Sequence, residues 1–478
     1  MTNMPDHNLM VKGVVAAMLG LINAWLLPPQ TANAQDTAAA GANAIEEQPK
    51  RTLKAGMAKT VITPPVGTQL SGYSGRTDPS TEVLDDLNSK ALVVDDGKQR
   101  IALVVCDIIG FRIDMVNEIR SIIQQQTGIK PDNVMITCTH THSGPNLRAA
   151  DAAYVESLKL HVARSVAAAA NSMREVRIGA ARGECRVGAN RRHPNSPTGP
   201  YNLYKYPAGI MDPTVMVLRV EDVSGNVIGL ITNHAGHPVA WGHRELGISR
   251  DYPGFALDVV EKVWGDDVVT IFLQGCCGNL NLNWIWDRPE QSPMPRRSMP
   301  IEREPRLREV RRLGRILGGE TLKAAETITD FTSDAVVKAA RRDVEVPIRK
   351  DLSEKMQERV AKAKEEQKPM EPGKRGSVYD AVAAGKETLR TEVQVLRVGE
   401  YFIVGLPSEV FVEYQIEIRQ RSGADFTFVS ELANDSISYI CTPKAFEEGG
   451  YEARSSSLAP EAGKTLVDAA LKLVDELK

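Results

Sequence analysis

Two histidines, His140 and His142, stand two residues apart in the segment CTHTHSGPN, which follows the apolar run NVMIT. In an extended backbone, side chains at positions i and i+2 point to the same face. Neutral imidazole is a common zinc ligand, and two histidines with one carboxylate form a frequent catalytic set that leaves a position open for water. The pair therefore indicates a metal site. The alternative is two hydrogen-bonded histidines at the end of a strand.

A second group of histidines lies in TNHAGHPVAWGHRELGISRDYPG and contains His234, His237 and His243. The two segments together hold five of the eight histidines of the chain. Pro238 biases His237 toward an extended backbone, which suits a fixed ligand. Asp251, near the end of this segment, either caps the helix that follows it or contributes to the site.

The elements that must position these residues alternate between strand-like and helical patterns. The apolar, strand-like runs are RIALVVC, NVMITC, VMVLRV, VIGLIT, VVTIFLQ, VQVLRV and YFIVGLP, and the helical patterns include RIDMVNEIRSIIQQQ, PGFALDVVEKVW and LVDAALKLVDEL. This alternation predicts an α/β fold in which a mixed β-sheet core is flanked by helices, within a single large domain. Residues 350–392 are rich in charge and are predicted to form a solvated helical excursion. Residues 284–304, rich in Pro and Arg, are predicted to form a loop at the rim of the site.

Polar residues collect directly after the apolar runs. In open α/β sheets, ligands bind outside the carboxyl ends of strands. The positions concerned are Asp107 after IALVVC, His140 and His142 after VMITC, His234 and His237 after VIGLITN, the stretch GCCGNLNLN after VVTIFLQ, and Glu409 after YFIVGLP. We therefore expect five strand ends to converge on one pocket.

Overall charge and composition describe a globular protein without a basic surface. The net charge is −3, and 42% of the residues are hydrophobic while 25% are charged. This balance gives no basic patch with which to bind nucleic acid or anionic lipid. Of the six cysteines, Cys106 and Cys138 end apolar runs and are predicted to be buried free thiols, and the spacings predict no particular disulfide.

The N-terminus carries the pattern of an export signal. Lys12 precedes the apolar stretch VVAAMLGLINAWLLP, which is short for a membrane span and leads to TANAQ. We therefore predict a signal peptide over 1–34 that is cleaved after Ala34, a disordered leader over 35–50 and a mature domain over 51–478. The protein would then be secreted or periplasmic, with no stable membrane span after cleavage. The alternative is an uncleaved N-terminal anchor.

Several motifs occur in the order expected for neutral/alkaline non-lysosomal ceramidases. They are AGMAKTVITPPVGTQLSGYSGR, THTHSGP, NRR, NHAGHPVAW, ISRDYPG, QGCCGNLN, GLPSEVF and SYICTPKAFEEGGYE. THTHSGP is the most specific of them, and together they span roughly residues 54–456. The chain resembles the N-terminal catalytic domain of that family, as a divergent bacterial member. The β-sandwich tail that follows this domain in the family is expected to be absent.

The resemblance implies a zinc ion bound by two His, one Glu and one Tyr. Carried over by motif, the metal ligands are His140, His237, Glu409 and Tyr439. His142 would lie beside the metal and handle a proton, and Arg191 matches a family arginine that faces the substrate. A tyrosine ligand is unusual, and coordination would lower its phenol pKa.

One departure from the family falls in the active site. The family carries a serine in a GDVSPN turn, whereas the corresponding turn here is GNLNLN, with Asn281 at the serine position and Asn279 at the aspartate position. An amide is neither a nucleophile nor a general base, but it can donate a hydrogen bond to an oxyanion. Asn281 is therefore predicted as a catalytic residue of that kind, together with His142 and Arg191.

Three hypotheses follow for the function. The first is a secreted zinc hydrolase that uses a zinc-activated water to cleave an amide or related acyl bond in a small-molecule or lipid-like substrate. The second is an exported ligand-binding protein that keeps the metal site and has lost the chemistry, which the two asparagines favour. The third, a purely structural zinc, is disfavoured because structural sites usually fill all four positions with Cys and His.

Overall fold

The computed structural model describes residues 52–283, 303–366 and 375–478. The predicted signal peptide (1–34), the leader (35–50) and residues 284–302 of the predicted rim loop lie outside the described residues. The strands are β1 Lys54–Val61, β2 Glu82–Val83, β3 Asn88–Asp95, β4 Arg100–Cys106, β5 Val134–Cys138, β6 Arg174–Glu184, β7 Gly188–Asn190, β8 Thr214–Asp222, β9 Val227–His234, β10 Gly247–Ile248, β11 Val269–Gln274, β12 Leu280–Leu282, β13 Val337–Pro347, β14 Thr388–Val398, β15 Tyr401–Gly405, β16 Glu409–Val410, β17 Phe426–Ser430 and β18 Tyr439–Ile440. The α-helices are α1 Ile113–Thr127, α2 Ala152–Asn171, α3 Asp251–Trp264, α4 Arg303–Glu326, α5 Glu354–Glu366, α6 Val378–Ala383, α7 Val412–Arg421, α8 Pro443–Glu448, α9 Gly450–Ser455 and α10 Ala462–Leu477, and a 3₁₀ turn spans Pro131–Asn133.

Two mixed sheets form the centre of the fold. The larger has eight strands in the order β11-β9-β8-β6-β1-β3-β4-β5, and its outermost pairs, β11–β9 and β4–β5, are parallel. The smaller has four strands in the order β13-β14-β15-β17, and β15 and β17 are parallel. Three two-strand ladders, β10–β2, β12–β7 and β16–β18, lie beyond the strand ends.

The two sheets pack face to face, with helices on both outer faces. Side chains along β4 alternate: Leu103 packs between the sheets, and Val104 packs against α1 and α2. In β15, Ile403 faces the larger sheet, while Val404 joins the cluster that contains α7 and α10. The helices α3 and α4 cover the half of the larger sheet that contains β8, β9 and β11. The result is a four-layer α/β/β/α arrangement. The strands of the two middle layers are buried on both faces, which explains why their sequences are continuous apolar runs.

The predicted fold class is confirmed: a mixed α/β domain with a large mixed sheet flanked by helices. The sequence patterns predict a single mixed sheet, whereas the structure has a second sheet as well. Within the charged stretch 350–392, the described residues form α5, α6 and the beginning of β14. Thr391 and Glu392 of β14 are buried, so this end of the stretch belongs to the sheet.

The cysteines and the helices give two further observations. All six cysteines are buried and unpaired, as predicted for Cys106 and Cys138. Among the described residues, no helix is both long and apolar enough to cross a membrane.

Candidate metal centre and active site

Three histidine rings meet at one point above the strand ends. The Nε2 atom of His237 lies 3.1 Å from Nε2 of His140 and 3.0 Å from Nε2 of His142, and the remaining pair is 3.4 Å apart. His140 and His142 follow β5, and His237 follows β9. All three side chains are buried, and they are the histidines that could hold a metal ion among the described residues.

The backbone brings His140 and His142 together by a turn. β5 ends at Cys138, and His140 then adopts a left-handed conformation with φ of 66°. This differs from the extended segment that the i, i+2 spacing suggests. The turn is held because the His140 amide donates to the Ile108 carbonyl at 3.0 Å and its Nδ1 lies 2.8 Å from the Ile109 carbonyl oxygen.

The hydrogen bonds of His140 and His237 suit metal ligands. Nδ1 of His237 lies 3.2 Å from the Cys277 carbonyl oxygen and 3.3 Å from Nη1 of Arg191. A carbonyl oxygen only accepts, so we assign the proton to Nδ1 in His140, and in His237 the shorter contact to the Cys277 carbonyl favours the same tautomer over acceptance from Arg191. Each Nε2 then presents a lone pair to the centre, as in metal-binding histidines whose other nitrogen bonds a carbonyl. Nδ1 of His142 makes no hydrogen bond of good geometry.

The cluster fits a zinc ion. Nitrogens bound at zinc's usual distance of about 2.0–2.1 Å in a tetrahedral site lie about 3.3–3.4 Å apart, close to the separations here. Burial, with the nearby charges of His140 and Arg191, holds the pKa of His142 and of His237 well below the usual value. Both imidazoles are therefore neutral at pH 7, which is the form that binds metal.

Glu409 and Tyr439 lie beside the histidines as neighbours in the β16–β18 ladder. Oε2 of Glu409 is 3.5 Å from Nε2 of His140 and 3.9 Å from Nε2 of His237. This oxygen is buried and has no hydrogen-bond partner among the described residues. Burial opposes ionisation of Glu409, but His140 and a hydrogen bond from Tyr439 outweigh it and lower the pKa. An ionised, unpaired carboxylate oxygen facing two imidazoles is the arrangement expected beside a cation.

Arg191 is wedged between two of the predicted ligands. Its Nη2 donates to the Gly278 carbonyl at 2.7 Å and to the Tyr439 hydroxyl at 3.4 Å, and its Nε donates to Glu452 at 2.7 Å. Burial disfavours its charge, but Glu452 and Tyr439 outweigh this and raise the pKa of Arg191. Because most of its N–H donors bond to protein groups, Arg191 holds the Tyr439 hydroxyl and the Gly278 turn in place beside the predicted ligands.

Glu452 lies below Arg191 and is fully buried. Its second oxygen accepts from Nη1 of Arg192 at 2.8 Å, so one carboxylate bridges two adjacent arginines. Arg192 continues to the Gly449 carbonyl at 2.9 Å, between α8 and α9. The Tyr451 ring lies 5.9 Å from the Tyr439 ring and is partly exposed.

The two asparagines of the GNLNLN turn have different surroundings. Asn279 is buried, accepts a hydrogen bond from the Val412 amide at 3.0 Å and donates to Glu413 at 2.8 Å, so it fixes the start of α7. Asn281 lies in β12 opposite Ala189, and its Oδ1 is buried without a hydrogen-bond partner among the described residues. The turn packs against the Glu409 backbone at Gly278. Asn281 is therefore the asparagine that remains available to a ligand.

His142 is enclosed by the segment that follows β1. A Cβ added to Gly72 would lie 2.4 Å from Cγ of His142, and the Tyr73 ring packs edge-on at 4.9 Å. Arg76 donates to the backbone carbonyls of Ser71 and His142. These contacts fix the position of the His142 ring.

Glu431 is a buried carboxyl beneath the cluster. Its Oε2 accepts from the amides of Cys277 at 3.1 Å and Val410 at 2.8 Å, and Sγ of Cys277 lies 2.8 Å from Oε1. Burial raises the pKa of Glu431 to about 8. Its hydrogen bonds tie the loop after β11 to the strand that carries Glu409. Glu431 directly follows β17, FTFVS, so the strand-end argument applies to it once that run is recognised as a strand.

Asp251, His234 and His243 lie around the cluster and not within it. The Asp251 carboxylate accepts from the amides of Ala240 at 3.1 Å and Trp241 at 2.8 Å, and from that of Tyr252 at 2.7 Å. It therefore fastens the loop after His237 to the start of α3. His234 pairs with Cys185, and the His243 ring lies 5.8 Å from Tyr73.

Comparison with known proteins agrees with the resemblance. Residues 53–285 match the model of the family described as neutral/alkaline non-lysosomal ceramidase, N-terminal. This match supports a ceramidase-like hydrolase that acts on amide bonds, and the three clustered histidines could hold a metal ion.

Two solved structures have a similar fold. Neutral ceramidase from Pseudomonas aeruginosa superposes with a TM-score of 0.69 at 19% identity, over 89% of this chain and 74% of that chain. A structure described as ceramidase complexed with C2 gives a TM-score of 0.69 at 18% identity, over 89% and 75%.

Proposed function

We propose that the chain is a zinc-dependent hydrolase that cleaves an amide or related acyl bond of a lipid-like substrate, with His140, His237, Glu409 and Tyr439 as the zinc ligands. The observation that carries the proposal is the convergence of three buried Nε2 atoms within 3.4 Å of one another, next to the unpaired Glu409 oxygen. Without a cation, the neutral imidazoles of His142 and His237 would bring lone pairs together in a buried site at a cost in free energy.

The chemistry of the reaction is divided between the ion and the chain. Bound zinc supplies Lewis acidity and an activated water. His142, whose imidazole is neutral and whose Nδ1 makes no well-aligned hydrogen bond, is suited to take up a proton and return it to the leaving group. Arg191 holds the Tyr439 hydroxyl and, through Gly278, the turn that carries Asn281.

Asn281 is proposed to contact the reacting group. Its amide is neither nucleophile nor base, but its buried Oδ1 has no hydrogen-bond partner among the described residues and can accept a hydrogen bond from a ligand. By rotation, the same amide presents an N–H to a developing oxyanion. The family name points to an N-acyl lipid as the substrate class. The predicted cleavage after Ala34 would place the reaction outside the cytoplasm.

Elemental analysis tests the metal site. We expect one zinc per chain in the purified protein and in His161→Ala, which removes a histidine of α2 outside the cluster. His140→Ala combined with His237→Ala should lose the ion, because both histidines proposed as ligands are removed. Full zinc occupancy in the double variant would remove this site from consideration.

Turnover tests the hydrolase assignment. Zinc-loaded protein should hydrolyse one or more members of a panel of N-acyl amides, esters and phosphoesters, and Glu409→Gln should abolish that activity.

The second candidate is an exported binding protein that keeps the metal and lacks turnover. The Oδ1 of Asn281 has no partner among the described residues, and the resemblance assigns this position to the family's serine; this favours the second candidate, because a ligand hydroxyl or amide can satisfy that oxygen. Saturable binding of an N-acyl amide without any product, measured by calorimetry and mass spectrometry, would support this candidate over the enzyme.

A further inference from the structure

A cysteine and a histidine form a separate pair on the side of the larger sheet that α3 and α4 cover. Cys185 follows β6, and His234 is the last residue of β9. Sγ of Cys185 lies 3.6 Å from Nε2 of His234. Nδ1 of His234 lies 3.0 Å from the Thr214 carbonyl oxygen, so Nδ1 carries a proton and Nε2 faces the thiol as a base.

We propose that Cys185 and His234 form a nucleophilic thiolate–imidazolium pair that reacts with small, soft electrophiles, of which alkyl halides and hydroperoxides are examples. The geometry is that of a thiol activated by an adjacent base, which is itself oriented by a third group. The pair does not use the zinc cluster and does not depend on the proposed hydrolysis.

Cys185 differs from the other five cysteines in both charge and access. Burial alone would raise its pKa, but His234 outweighs burial and lowers it, whereas the pKa values of the remaining five thiols are raised. Cys185 is 8% exposed, whereas the other five cysteines are at most 2% exposed, so it is the least buried of the six thiols. Thiolate character and access together determine the reactivity of cysteines.

The charged and titratable groups around the pair come from four elements. The negative charge of Glu320 in α4 raises the pKa of Cys185 and so disfavours its thiolate. The Tyr252 phenol of α3 is within electrostatic range of Cys185. Asp212, before β8, favours the imidazolium form of His234. Asp212 is in turn ion-paired with Arg419 of α7. The net result favours the ion pair.

The chemistry balances in both example reactions. With a hydroperoxide, the sulfur attacks one peroxide oxygen, the S–O bond forms and the O–O bond breaks. The departing oxygen then takes the proton of the His234 imidazolium. The sulfur is oxidised by two electrons to the sulfenic acid, and the peroxide is reduced to water or an alcohol. With iodoacetamide, an S–C bond forms and iodide leaves, so no oxidant is required.

Peptide mapping after brief treatment of the folded protein with iodoacetamide tests the proposal. We expect Cys185 to be alkylated about tenfold faster than any other cysteine at pH 6.5, because an ordinary thiol with a pKa of about 8.5 is then only about one per cent thiolate. The Cys185 rate should stay nearly constant from pH 8 down to a midpoint below the usual thiol pKa. A midpoint at about 8.5, or no alkylation of Cys185 in the folded protein, would overturn the proposal.

The variant His234→Asn isolates the base. An asparagine at this position retains an N–H donor for the Thr214 carbonyl and lacks the nitrogen that faces sulfur. The Cys185 rate should fall about tenfold, equivalent to a change of one pKa unit, while the other cysteines react as before. An unchanged Cys185 rate would contradict the pair. If this variant does not fold, the pH–rate profile of the unmodified protein still decides.

Discussion

His140 has a left-handed backbone conformation, which is energetically unfavourable for histidine. A non-glycine residue in the left-handed region loses about 1–2 kcal/mol, and His140 has φ of 66°. The amide and Nδ1 of His140 both bond to carbonyls of the segment after β4, which compensates for the strain. The strain has a structural effect, because the turn directs His140 and His142 to one point.

The sequence predicted that histidines at strand ends converge, but not how the chain brings them together. Of these histidines, His140, His142 and His237 meet in the structure, whereas His234 pairs with Cys185 instead. The turn at His140 and the close packing of Gly72 on His142 depend on contacts between distant segments. No local pattern encodes such contacts.

Substitution of Gly72 tests whether the packing around His142 sets the metal site. Gly72→Ala places a Cβ 2.4 Å from Cγ of His142 and should displace the ring. We expect zinc affinity to fall by about tenfold or more, because a displaced His142 ring would disturb the adjoining rings of the proposed ligands His140 and His237. Competition with a chromogenic chelator measures it. Gly67→Ala is the matched control, since Gly67 has a similar φ of 96° and open space around it. Equal affinities in the two variants would contradict the role of Gly72.

The two asparagines should separate stability from ligand binding. Asn279→Ala removes the hydrogen bond to the Val412 amide at the start of α7 and should destabilise the protein by about 1–2 kcal/mol in urea unfolding. Asn281→Ala removes an Oδ1 that accepts no hydrogen bond from the described residues, so the free energy of unfolding should change by less than about 0.5 kcal/mol while turnover or ligand affinity falls. A large loss of stability in Asn281→Ala would show that its amide is structural.

At the scale of elements, the site is built from short segments that follow long strands. The strand-end argument anticipated Glu409 after β15 and the loop after β11. It missed Glu431 because FTFVS was not recognised as a strand, and it assigned no role to Glu452 in GGYE. Glu452 lies in α9, a helix of six residues that is too short to give a periodic signal.

Replacement of Glu452 tests the link between α9 and the ligand set. In Glu452→Gln, one oxygen becomes an amide nitrogen that faces an arginine donor, so Arg191 or Arg192 loses its partner. We expect a stability loss of about 1–3 kcal/mol and weaker zinc binding, because Arg191 no longer holds Tyr439 in place. Glu448→Gln is the control, since Glu448 contacts Arg192 but not Arg191 and is partly exposed. Unchanged zinc affinity in Glu452→Gln would show that the bridge only stabilises the fold.

At the scale of the whole molecule, the sequence could not predict that the strands divide between two sheets. VQVLRV and YFIVGLP read as buried strands, and they are strands β14 and β15. Assigning them to a separate sheet requires knowing that Leu396 and Ile403 face Leu103 and Leu218 across the interior. Hydrophobic periodicity identifies buried faces, but it does not identify their partners.

The buried ion pair between α1 and β14 tests how firmly the helices are attached to the second sheet. Arg120 donates to Glu392 at 2.7 Å, and both side chains are 1% exposed. Arg120→Met should cost about 1.5–3 kcal/mol in denaturant unfolding, because Glu392 loses its fully buried partner and keeps only the partly exposed Arg341. Arg342→Met breaks the exposed pair with Glu476 and should cost less than about 1 kcal/mol. Similar losses in the two variants would contradict this assignment.

Metal removal should destabilise the whole chain. If zinc binds the folded state alone, an ion at a thousandfold excess over its dissociation constant adds about 4 kcal/mol. Treatment with a chelator should therefore lower the melting temperature by several degrees, and zinc should restore it. In the His140→Ala/His237→Ala variant, the melting temperature should be insensitive to both additions.

The proposed ligands come from both sheets, because His140 and His237 extend from the larger one while Glu409 follows a strand of the smaller one. An ion bound by these ligands would link the eight-stranded sheet to the four-stranded sheet at one end of the interface between them. Hydrogen exchange at the carboxyl ends of β5, β9 and β15 should then slow together when metal is added, and strands at the opposite end should respond less.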